Sequence, residues 1–127
     1  MSCENVKIKD YRITKLNMDF GSLSQGEHKL SLTISLNIMT PKDAQDKECI
    51  VVIEINFYSE DKTSILSAEI RGYTDVDASL SEEEKNSQIK ANAVPVFYDI
   101  LRNFISETTK KANVEFPNIP FVEEIDF

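Results

Sequence analysis

A wide apolar helix near the C-terminus limits the folds open to this chain more than any other stretch. AVPVFYDILRNFISETTKKAN, from Ala93 to about Asn113, repeats its apolar residues at helical spacing: Val94, Phe97, Tyr98, Leu101, Phe104 and Ile105. Val96 and Ile100 widen that stripe beyond a single contact surface. Pro95 fits the first helical turn, where a missing N–H costs nothing. The tail VEFPNIPFVEEIDF then sets Val114, Phe116, Ile119 and Phe121 around Pro117 and Pro120. Proline holds a chain to extended or turn conformations, so this predicts an ordered, packed segment. A helix with this much apolar surface needs a sheet to lie on.

The preceding chain supplies one. Residues 5 to 20 alternate with two changes of phase: Val6 and Ile8 on one parity, Tyr11 and Ile13 on the other, then Leu16, Met18 and Phe20 back on the first. Side chains alternate strictly along a strand, so each change requires a bulge or a break. This is one long bent strand or two short ones. GSLSQGE, with Gly21 and Gly26, is a turn-rich connection that leaves Leu23 exposed in its middle. Strand two carries Leu30, Leu32, Ile34, Leu36 and Ile38 against Ser31, Thr33, Ser35 and Asn37, the pattern of an antiparallel sheet covered on one face. A polar loop fills 40 to 48.

Strand three places Cys49, Val51, Ile53, Ile55 and Phe57 on one face. Its other face opens apolar, with Ile50 and Val52, before turning polar, which suggests partial cover there, as from another subunit. EDKT, 60 to 63, reads as a hairpin turn. Strand four sets Leu66, Ala68 and Ile70 against Ser67, Glu69 and Arg71, and Gly72 marks a bend or a close backbone approach. Ser79 or Ser81 caps a short polar helix over about 81 to 92, with Glu82, Glu83 and Glu84 at its positive end. Four antiparallel strands followed by two helices on one face make an α+β, two-layer domain. At 127 residues the chain is expected to form one domain, 1–127.

The net charge of -8 disfavours nucleic acid and anionic membranes, both polyanions, and suits solubility or a basic partner. No apolar run reaches the length of a membrane span and no signal-peptide pattern opens the chain, so insertion in a membrane is not expected. Cys3 and Cys49 lack metal-ligand spacing and read as reduced thiols of a cytoplasmic protein. His28, the single histidine, has no cysteine or carboxylate at ligand spacing. Phosphate loop, nucleophile elbow and zinc cluster are all missing from the sequence. Glu82 to Glu84 are helix N-terminal charge, and Glu123, Glu124 and Asp126 a solvated end. The expectation is a protein that is not an enzyme and uses no catalytic residue, metal or cofactor.

The order of elements, together with a few C-terminal motifs, resembles the SecB family of protein-export chaperones. The residues that carry the resemblance are Pro95 with Phe97 and Tyr98 opening the last helix, then Phe116-Pro117-Asn118-Ile119, and a closing Ile125-Asp126-Phe127. The bent first strand and the Gly-containing loop after it are also similar to SecB, in which that crossover loop flanks a peptide-binding groove. The resemblance spans most of the chain in pattern and about thirty residues in motif. It implies a cytoplasmic holdase for unfolded or pre-export polypeptides, a homotetramer built as a dimer of dimers, and a translocation motor, SecA, as a partner. The acidic surface that SecB proteins offer that motor has no position-by-position match here.

A holdase needs exposed apolar surface for unfolded chains and net charge to stay soluble while presenting it. The residues expected to line its groove are Phe20 and Leu23 against Phe97, Leu101, Phe104 and Ile105. The apolar surface left over favours a homo-oligomer. Two other classes stay open: an adaptor or toxin–antitoxin-associated module binding one folded protein, and a small-ligand-binding domain with a closed apolar pocket under the helix.

Overall fold

The computed structural model describes residues 6–20, 29–40, 47–114 and 117–125. Leu23, His28, Phe116, Asp126 and Phe127, with Cys3 and both glycines of the first connection, lie outside the described residues. Four strands come first: β1 (Val6–Met18), β2 (Ser31–Met39), β3 (Glu48–Tyr58) and β4 (Ser64–Val76). Helices α1 (Glu82–Asn92) and α2 (Val94–Lys111) follow, then a single 3-10 turn over Val122–Glu124. The strands form one antiparallel sheet in the order β1-β4-β3-β2, so β1 and β2 occupy opposite edges.

β1 is one strand with two bulges, and they sit where the alternation changes phase. Its pairing to β4 shifts between Ile8 and Asp10 and again between Ile13 and Lys15. Lys9 and Thr14 are the extra residues, and each absorbs one change of parity. Val6, Ile8, Tyr11, Ile13, Leu16 and Met18 therefore pair with Val76, Thr74, Gly72, Ile70, Ala68 and Leu66, all on one face of the sheet. A bulge-free strand would have turned part of this set to the opposite face.

That face carries the core. Cys49, Val51, Ile53, Ile55 and Phe57 of β3 and Leu66, Ala68 and Ile70 of β4 are at most 1% exposed. The one polar residue among them, Thr74, is satisfied by donating its hydroxyl to the Cys49 carbonyl at 2.9 Å. α2 lies over β4 and β3 and closes the layer with Val94, Phe97, Tyr98, Leu101 and Ile105. Burying each of these side chains contributes roughly 1.5–3 kcal/mol.

Gly72 sets how closely α2 approaches. A Cβ there would stand 2.3 Å from the Phe97 ring, so only a bare backbone lets the ring sit on the sheet. The close approach expected at this glycine is thus made by an aromatic side chain and not by another backbone. Pro95 falls in the first turn of α2 as its sequence position requires. α1 begins at Ser81, whose hydroxyl accepts from Glu84 N–H while the Glu84 carboxylate accepts from Ser81 N–H. Ser79, the other candidate cap, donates to Asp77 instead. Though α1 is polar in sequence, Ile89 is wholly buried and Lys85 is 8% exposed.

Candidate functional site

The accessible apolar surface follows from how far the helices reach across the sheet. α2 rests on the two central strands, and β1 is left at the rim of the helix layer. Ile8, Tyr11, Leu16 and Met18 are 38%, 45%, 38% and 37% exposed, although their β4 neighbours are buried. Ile13 is half-buried between them. The ladder continues past Met18 through the Asp19 N–H, which donates to the Ile65 carbonyl at 2.8 Å. Phe20, half-buried and of the same parity as Leu16 and Met18, extends the row and packs against the core.

From Ile8 to Met18 the row spans the stretch of β4 between Thr74 and Leu66. At about 3.4 Å per residue that is roughly 27 Å, the length of an extended segment of about eight residues. Exposed apolar residues scattered singly are ordinary on a protein surface, whereas a contiguous row is a mark of interaction.

The six residues expected to line a groove are distributed differently. Phe97, Leu101 and Ile105 are 0%, 0% and 1% exposed, because they are the face of α2 that closes on β3 and β4. Phe104 stays half-buried on α2, one turn beyond half-buried Ile100. Phe20 closes the β1 row, and Leu23 lies outside the described residues. The residues passed over by sequence reasoning are Ile8, Tyr11, Leu16 and Met18. Their signal was in the strand pattern: six apolar residues kept on one face through two phase changes.

The tail flanks the other side of α2. The Tyr98 hydroxyl donates to the Pro120 carbonyl at 2.7 Å, and Arg102 Nε–H donates to the Ile119 carbonyl at 2.9 Å. The Arg102 guanidinium also lies 4.1 Å from the centre of the Phe121 ring, a cation–π contact. Ile119 is 7% exposed and anchors the tail, whereas Phe121, expected among its packed residues, is 53% exposed and Phe116 lies outside the described residues. Burial of Tyr98 pushes its phenol from 10.0 up to about 12.

The side chains that α2 lays on β3 and β4 are at most 1% exposed. A small cavity of about 80 Å³ lies between α2 and the tail, too small for a typical ligand. An open cleft of about 410 Å³ lies at the β2 edge, between Leu36 and Ile38 and the Asn86 and Lys90 side chains of α1. No group of three or more His, Cys, Asp or Glu residues that could hold a metal ion occurs among the described residues. No helix of the described residues is long and apolar enough to cross a membrane.

The sequence matches no protein-family model and no curated protein. The fold does have a counterpart among solved structures: a SecB-like chaperone of Mycobacterium tuberculosis, in complex with a ChAD peptide from the HigA1 antitoxin. It superposes with a TM-score of 0.68 over 92% of this chain and 87% of its own, at 13% identity. A protein of unknown function from Streptococcus agalactiae aligns at a TM-score of 0.48 and 14% identity, covering 91% of this chain and 97% of its own. The chain therefore has the SecB-like fold: a four-stranded antiparallel sheet followed by two helices.

Proposed function

We propose that the chain is a SecB-like holdase that binds extended, apolar segments of unfolded or pre-export polypeptides without catalysis. The observation that carries the reading is the row Ile8, Tyr11, Leu16 and Met18, held on the helix-side face and left 37–45% exposed. A client segment lies along this row toward Phe20, and its apolar side chains cover surface that water otherwise wets. Phe104 is proposed as a further contact from α2. The net charge of -8 keeps a protein with such a surface soluble and favours basic clients.

A homo-oligomer, built as a dimer of dimers, is part of the same proposal. β2 supports it: Ser31–Met39 is an edge strand with no charged residue, no proline and no register shift. Edges of this kind are open to pairing with another chain. A translocation motor as partner and a place in protein export extend the reading, and the site is compatible with either.

The test is fluorescence anisotropy with a reduced, carboxymethylated model client. Tyr11→Glu with Leu16→Glu should weaken binding by tenfold or more, because each carboxylate must be desolvated under the client. The melting temperature should change little, since both positions are substantially exposed. Unchanged affinity in a folded double variant would remove the row as the site.

The antitoxin peptide held by the Mycobacterium tuberculosis chaperone favours a second reading, an adaptor for one partner segment. An adaptor discriminates between a partner peptide and its scrambled sequence, while a holdase binds both.

A further inference from the structure

The sheet face turned away from the helices holds a pair of arginines with no ion-pair partner among the described residues. Arg12 and Arg71 are direct cross-strand neighbours on β1 and β4. Like charges so placed repel, and guanidinium groups stay protonated at any working pH. Arg12 is exposed and Arg71 half-buried, and Arg71 Nε is fully enclosed with no hydrogen-bond partner among the described residues.

Acidic residues are plentiful on this face, yet among the described residues none forms an ion pair with either arginine. Lys9 holds Glu48 at 3.0 Å and Asp75 at 3.5 Å. Glu54 takes Lys15 at 3.1 Å and the Asn56 amide at 3.0 Å. Glu69 accepts from the Thr14 hydroxyl at 2.6 Å, and Asp10 from the Tyr11 N–H at 2.8 Å. In a chain of net charge -8, two adjacent arginines thus have no carboxylate within ion-pair distance among the described residues.

Their surroundings are apolar on the other side. Val52 pairs with Arg71 across β3, and the next row places Tyr73 beside Ile50 and Ile50 beside Met39. All four are half-buried, with surface still open. A guanidinium pair bordered by an aromatic and aliphatic row is the composition of an interface centre, where Arg and Tyr dominate the binding energy.

We propose that this face is a second docking surface, independent of the β1 row, for a partner protein segment carrying a carboxylate next to an apolar residue. The carboxylate bridges the terminal guanidinium nitrogens of Arg12 and Arg71, and the apolar side chain covers Val52, Ile50 and Tyr73. A polypeptide carboxylate is favoured over nucleic acid because a polyphosphate chain must also approach a protein of charge -8.

The probe is a fluorescein-labelled eight-residue peptide with one glutamate beside a leucine in an otherwise uncharged sequence, titrated by anisotropy against the full chain. Its binding should weaken with added salt, and replacing glutamate by glutamine should cost tenfold or more, the loss expected when a charge-assisted bond is removed. Arg12→Gln and Arg71→Gln should each reproduce that loss. Arg12, being exposed, serves as the variant that stays folded, and its melting temperature should rise as the like-charge contact is relieved. The Tyr11→Glu, Leu16→Glu protein should bind the peptide as well as wild type, which separates this surface from the client row. Peptide affinity that is undetectable, unchanged in both arginine variants, or exceeded by that of a single-stranded oligonucleotide would overturn the proposal.

Discussion

Gly72 and Tyr98 show how single residues fix the relation between sheet and helix. The Phe97 ring occupies the space a side chain at 72 would need. Gly72→Ala should therefore cost about 1–3 kcal/mol through overpacking, read as a lower midpoint in urea unfolding. Tyr98 gives a pH signature. Its folded value is raised by burial, so its contribution is complete below the unfolded value of 10.0 and is lost as pH rises from there to about 12. Stability should fall across that window, and Tyr98→Phe should remove part of the fall while losing the bond to Pro120. At this scale the sequence was only partly legible. Gly72 was recognisable as a close-approach position, but the group approaching it comes from a helix more than twenty residues later. Phe97, Leu101 and Ile105 were recognisable as apolar, yet periodicity does not say which part of a wide stripe meets the sheet.

β1 carries the functional argument at the level of elements. Its two phase changes were legible because alternation is strict, and both correspond to register shifts. What the pattern did not disclose was that β1 is an edge lying outside the cover of α2, since strand order depends on pairings distant in sequence. Lys9 and Thr14 are the inserted residues, and without them the apolar residues of β1 alternate without interruption. Deleting both should leave the fold and client affinity intact, because the apolar set keeps its face. The straightened edge should instead pair with other copies more readily, since bulges and the local twist they add protect edges. Sedimentation velocity would show the larger species. Deleting Asn17 is the contrasting case: Met18 and Phe20 are driven to the opposite face, and both client affinity and the melting temperature should fall.

Across the whole molecule, the two faces of the sheet divide the work. The helix side holds the core and, at its rim, an apolar row about 27 Å long by strand geometry. The far side is a lattice of charged and polar pairs around the two arginines. The α+β order was readable from the change of period along the chain, whereas the placement of the accessible surface needed the three-dimensional pairing. Acid titration should reflect the far side as well. Hydrogen bonding from Asn56, with Lys15 adding to it, lowers the Glu54 pKa, so its contribution is present above the unfolded value of 4.5 and is lost as pH falls through the lower folded one. The most direct measurement is the light-scattering mass of the protein with a reduced, unfolded client, for wild type and for the Tyr11→Glu, Leu16→Glu variant. Wild type should form an oligomer whose mass grows by about one client chain. The variant should keep the same oligomer mass and melting temperature and take up no client. Equal uptake by both proteins, or a wild type indifferent to unfolded chains, would contradict a holdase working through the β1 row.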